Sequence, residues 1–188
     1  MDKLYFSEEH IMLRDMVREF AVNEVRPKGP EIDKESIFPE ENIQKMSELG
    51  LMGIPWDQKY SGTGMDTRAL VIAIEEIGKE CASTAATMMA HTSLGTAPIA
   101  IFGTELQKKK YLPLLAKGEM LGAFGLTEPN AGSDAGNTQT TAVRSNDEYI
   151  INGQKVFCTN AGRAGTIIIT AAIIDNNENK GIGAFIIE

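Results

Sequence analysis

The chain has 188 residues, 43% hydrophobic and 23% charged, long enough to bury a core and ordinary for a globular protein. Its net charge of −8 is evenly spread: residues 1–118 carry 14 basic against 18 acidic side chains, and residues 119–188 carry 4 against 8. The only cationic cluster is Lys108, Lys109 and Lys110, so nucleic-acid binding is excluded, and Cys81 and Cys158 make neither a disulfide framework nor a zinc site.

In chain order, Ser7 reads as an N-cap with Glu8 and Glu9 in the first turn, where negative charge suits the helix dipole. Leu13, Met16, Val17, Phe20 and Ala21 then recur at helical spacing until Pro27. A second helix begins at Phe38 and Pro39, with Ile43, Met46 and Leu49 as its apolar stripe and Gly50 at its end. Residues 51–65 read as a loop. Asp66 caps a third helix, with Leu70, Ala73, Ile74 and Ile77 inward. A fourth, nearly uncharged helix opens at Ser83 or Thr84 and ends at Gly103; His91, Gly95 and Pro98 mark it as a buried helix, not a membrane span. Thr104 and Gln107 form a capping box that opens a fifth helix, ended by Gly118. Five helices with short loops predict a bundle over residues 1–118.

From residue 119 the periodicity changes. The run 121–126 is apolar and strand-like, and it breaks at Thr127, Glu128 and Pro129 into a loop of Gly, Ser, Asn and Asp. Such a loop offers backbone N–H groups, small hydroxyls and close approach to a ligand. Residues 138–143 are rich in β-branched side chains, and Asn152 and Gly153 signal a type I′ hairpin joining strands at 149–151 and 155–159. Further strands fall at 166–170 and 184–187, separated by the polar loop 175–180. The expectation for 119–188 is an antiparallel β-barrel domain left incomplete, because the chain stops one residue after an apolar strand with nothing to blunt its edge. It reads as the front part of a longer chain. There is no metal-ligand spacing, no P-loop and no G-x-G-x-x-G. The segment 132–136 is not G-x-S-x-G and neither histidine has a partnering pattern, which argues against a serine hydrolase. No apolar signal core stands at the N-terminus, so a cytoplasmic protein is expected.

Helices first, then LTEPNAGSD (126–134), then KVFCTN (155–160): with these residues the chain resembles the acyl-CoA dehydrogenase family, its short-chain, butyryl-CoA-like bacterial members above all. It departs from the family pattern at Phe157, where many members carry Trp, and at Cys158, where Ile is usual. The resemblance implies FAD along 124–133, with Phe124, Gly125, Leu126 and Thr127 around the isoalloxazine ring. Gly132 and Ser133 would lie near the pyrophosphate, and Ser133 would also border acyl-CoA. Phe157, Cys158 and Thr159 would meet the opposite side of the ring, with Thr159 near flavin N5. Ala86, Thr87, Ala90 and Leu94 would line the acyl tunnel. The implied reaction is α,β-dehydrogenation of a short- or branched-chain acyl-CoA, with electrons passed on to an electron-transfer flavoprotein. The family pattern is a homotetramer whose catalytic glutamate lies in a C-terminal four-helix domain absent from this chain, so no glutamate here is assigned that role. Two other readings are an acyl-CoA oxidase or flavin monooxygenase of the same architecture, and a non-catalytic domain completed by a partner chain.

Overall fold

Helix α1 (Glu8–Phe20) starts where its capping signal sits: the Ser7 side chain accepts from the His10 amide while the His10 ring accepts from the Ser7 amide, satisfying two orphan donors. The computed structural model describes residues 5–188, which divide into two units at the boundary between Met120 and Leu121.

In the first unit α1 runs on through a wide π turn (Ala21–Val25). A short helix that the periodicity did not announce follows, α2 (Gly29–Glu35), with Pro30 in its first turn. Then come α3 (Glu40–Glu48), α4 (Thr67–Gly78), α5 (Ala82–Met89), α6 (Ala97–Phe102) and α7 (Glu105–Lys117). Asp66 caps α4 by accepting the Ala69 amide, and Thr104 with Gln107 closes the expected capping box on α7. Gly118 ends α7 at φ 71, a left-handed conformation that costs glycine little. The fully buried side chains include Val17, Met46, Ile77, Met88, Ile99 and Leu115, so each of the five anticipated helices contributes apolar surface to the core, and Met52 adds to it from the segment after α3.

The fourth anticipated helix is α5 and α6 joined end to end by a second π turn, Ala90–Thr96. Wide turns of this kind are rare and concentrate at functional sites. It buries three polar side chains, His91, Thr92 and Thr96. His91 Nε2 donates to the Leu115 carbonyl at 3.0 Å, tying the rod to α7, and Thr96 Oγ1 donates to the His91 carbonyl at 2.8 Å.

The second unit is one sheet built around β4 (Thr166–Asp175). The other strands are β1 (Gly122–Gly125), β2 (Thr141–Ser145), β3 (Glu148–Asn152) and β5 (Glu178–Ile187). β5 pairs antiparallel along β4, and β3 pairs antiparallel with β2. β1 and β2 pair with successive parts of β4, and both of these ladders are parallel. The fold class stands, but the pairing within it is mixed and not wholly antiparallel, because β1 and β2 each reach β4 through long connections.

The expected hairpin at Asn152 and Gly153 does not form. A type I′ turn needs positive φ at both central residues, and Gly153 is not in that region. Its glycine serves close approach: a Cβ there would lie 2.3 Å from Thr140 Oγ1 and 2.6 Å from Thr140 Cα. Residues 155–159 are consequently a loop and not a strand. The turn with both central residues left-handed is Asn176 (φ 51) and Asn177 (φ 63), between β4 and β5.

Candidate functional site

In the β unit, the two motifs meet through their backbones and one buried ion pair. The Val156 amide donates to the Thr127 carbonyl at 2.8 Å, and Lys155 Nζ donates to the Leu126 carbonyl at 3.1 Å. Lys155 Nζ also reaches Glu128 Oε1 at 2.7 Å, with the Glu128 and Lys155 side chains 3% and 9% exposed. At the far end of the second motif, Asn160 takes a left-handed φ of 72 and donates through Nδ2 to the Gly122 carbonyl at 3.3 Å. The segment 155–160 is thus held at both ends against β1 and the loop that follows it. Gly125 makes this packing possible, since a Cβ there would meet Lys155 Cγ at 3.2 Å and Cys158 Sγ at 3.3 Å.

Between those anchors stands Phe157. Its backbone is left-handed, φ 56, and its side chain is 91% exposed within the unit. A bulky residue at positive φ is an outlier that persists only where its surroundings impose it, and such outliers cluster at functional sites. An exposed aromatic with no packing of its own gives that strain no compensation inside the unit.

Of the two carboxylates inside the motifs, Asp134 is exposed and Glu128 is buried. Burial pushes its pKa up, but Lys155, Thr138, Thr140 and Gln139 outweigh that and hold it well below the usual carboxylate range. The Thr138 hydroxyl (2.5 Å), the Gln139 amide (2.6 Å) and the Thr140 amide (3.0 Å) all donate to it. A fully paired carboxylate of this kind is a structural anion and not a general base. Burial pushes the Cys158 thiol up, which keeps it protonated and unreactive at neutral pH.

The expected cofactor residues fall into two groups. Gly125, Leu126 and Thr127 are brought against the 155–160 segment with Phe157, Cys158 and Thr159, and Phe124 pairs with Ile168 in the neighbouring ladder. Gly132 and Ser133 lie on the exposed part of the loop, with open space around Gly132. Of the expected tunnel residues, Ala86 and Leu94 are on the surface of the helical unit, while Thr87 and Ala90 are buried in it. Sequence reasoning missed the Glu128–Lys155 pair, although one partner sits inside each motif. It also missed partners for His10: Nε2 is 2.8 Å from Asp66 Oδ1 and Nδ1 is 2.7 Å from Ser7 Oγ. Both Ser7 and Asp66 are helix N-caps, so this chain of bonds ties the starts of α1 and α4 together. Among the described residues no cluster of His, Cys, Asp or Glu is arranged to hold a metal ion, and no helix is long and apolar enough to cross a membrane.

The family models for the acyl-CoA dehydrogenase N-terminal domain and middle domain match residues 7–119 and 123–188. The chain therefore belongs to the acyl-CoA dehydrogenase family and carries these two of its domains. It is 52% identical over 182 residues to the short-chain specific acyl-CoA dehydrogenase of Clostridium acetobutylicum, covering 97% of this chain and 48% of that one. It superposes with butyryl-CoA dehydrogenase from Megasphaera elsdenii at a TM-score of 0.90 and 38% identity, over 97% of this chain and 49% of that one. An acyl-CoA dehydrogenase from Bacillus anthracis complexed with FAD gives 0.89 and 38%, over 98% and 31%. The chain spans about half the length of the curated relatives it matches.

Proposed function

We propose that this chain supplies the flavin-facing and part of the acyl-CoA-facing surface of a FAD-dependent dehydrogenase that converts a short- or branched-chain acyl-CoA to the enoyl-CoA. One observation carries the reading: two motifs, buried together by an ion pair, present Phe157 outward on a strained backbone. An exposed aromatic face beside the exposed Leu126 and the Thr159 hydroxyl is the surface that a flat, polar-edged ring would cover. The residues present therefore fit FAD.

When bound, FAD supplies the hydride acceptor of the reaction. The chain's own part is positional. Phe157, Cys158 and Phe124 to Thr127 would line the ring, and the Thr159 hydroxyl would be the donor toward N5. Gly132 and Ser133 meet the phosphates on the open part of the loop, and Ala86, Thr87, Ala90 and Leu94 face the acyl chain. No carboxylate of this chain takes the α-proton. The acceptor of the electrons is an electron-transfer flavoprotein, and the assembly a homotetramer. Support for these finer assignments is the match of both motifs to the family pattern.

The test is a titration of the 188-residue chain with FAD, read by quenching of flavin fluorescence, followed by an assay with butyryl-CoA and a dye acceptor. Weak, reversible FAD binding without turnover is expected. Turnover would place a base within these residues, and absence of any binding would sink the flavin assignment.

A further inference from the structure

An ammonium group has three N–H donors, yet Lys155 Nζ stands within hydrogen-bond distance of four oxygens on four residues from three parts of the chain. They are the Leu126 carbonyl (3.1 Å), Glu128 Oε1 (2.7 Å), Thr138 Oγ1 (3.2 Å) and Thr170 Oγ1 (3.2 Å). They come from the loop after β1, from the approach to β2 and from the middle of β4. Glu128 in turn accepts from Thr138, Gln139 and Thr140 and closes its own tight turn, exchanging two backbone bonds with Ala131 at 2.9 and 3.2 Å. A pair this buried is a weak source of net stability, because desolvating two charges offsets most of their attraction. Its arrangement is better suited to fixing geometry. The groups it ties belong to the two motifs, to residues 138–140 just before β2 and to β4, and the residue two positions after Lys155 is the strained, exposed Phe157.

We propose that Glu128 and Lys155 are positioning residues: their buried pair sets the 155–159 segment against the loop after β1 so that Phe157 is held outward in its left-handed conformation. The presentation of Phe157 to flavin rests on the proposed function, but the hold on its backbone does not. Two short bonds complete it, the Val156 amide to the Thr127 carbonyl at 2.8 Å and the Thr159 amide to the Phe157 carbonyl at 3.1 Å.

The test compares Lys155→Met and Lys155→Arg with the unaltered chain, and with Phe185→Leu as a control that loosens the sheet elsewhere. The flavin-free readout is amide hydrogen exchange. Lys155→Met should speed exchange at Val156 and Thr159 by about tenfold relative to the amides of β4 and β5, and Lys155→Arg should bring it back to within about threefold. Phe185→Leu should speed the β4 and β5 amides and leave Val156 and Thr159 within about twofold of the unaltered chain. The second readout is the FAD dissociation constant, expected to rise about tenfold in Lys155→Met and less than about twofold in the control. If Lys155→Met yields no folded chain, Thr170→Val removes one oxygen from the ammonium and nothing from Glu128, and its Val156 and Thr159 amides should exchange about threefold faster than those of β4 and β5. Exchange that is unchanged, or faster across the whole sheet alike, would make the pair merely structural and overturn the proposal. Local loosening in a chain that never binds FAD would keep the positioning role and remove the flavin reading instead.

Discussion

At the scale of one residue, stability and the proposed flavin contact make opposite demands on Phe157. Its left-handed backbone costs about 1–2 kcal/mol relative to an ordinary conformation, and its exposed side chain returns no burial energy. Asparagine tolerates the same backbone. Phe157→Asn should therefore stabilise the chain by about 0.5–1 kcal/mol in chemical denaturation while weakening FAD binding about tenfold. A variant that is less stable and still binds FAD as well would show that Phe157 is ordinary packing. The motif KVFCTN singled out this residue, since a paired string of that length is legible without coordinates. Its backbone conformation was not legible, because no local preference of Phe encodes a positive φ; only the anchors at Lys155, Val156 and Asn160 impose it.

Among the elements, the hairpins separate what local chemistry encodes from what contacts impose. Asn176 and Asn177 form the turn with two left-handed residues, and their side chains are the kind that tolerate it. Asn152 and Gly153 carry the stronger sequence signal and form no such turn, because Gly153 is needed where the chain crosses Thr140. The substitution Gly153→Asn distinguishes the two roles. In a type I′ turn asparagine would be nearly neutral; against Thr140 it should cost about 2–3 kcal/mol, seen as a lowered Tm. An unchanged Tm would restore the turn reading. The rod of α5 and α6 makes the same point for helices: its apolar composition announced a buried helix, but the π turn at Ala90–Thr96 answers to the bond from His91 to the Leu115 carbonyl, 24 residues on in the chain.

For the whole molecule, buried His91 links pH to stability. Burial lowers its pKa from 6.5 to about 4, opposed only in part by bonds to the Leu115 and Met52 backbones. Between those values the unfolded chain binds a proton that the folded chain does not, so stability is full above pH 6.5 and falls as pH drops toward 4. The linked loss is about 3 kcal/mol. The pH dependence of Tm between 7 and 4.5 should be shallower in His91→Gln, and equal slopes would remove His91 as the cause. By itself the sequence determined the starts of α1, α4 and α7 and the end of α7, because the caps Ser7, Asp66, Thr104 and Gly118 act over three or four residues. It also singled out the two motifs that the structure bonds together, because their residue types are legible in order. Tertiary structure alone decided how they are joined: parallel ladders onto β4, Gly153 as a crossing point, and an ion pair between residues 27 apart in the chain. The reason is physical. Caps and turns satisfy their own backbone groups locally, whereas a buried charge is tolerated only where distant segments converge to surround it.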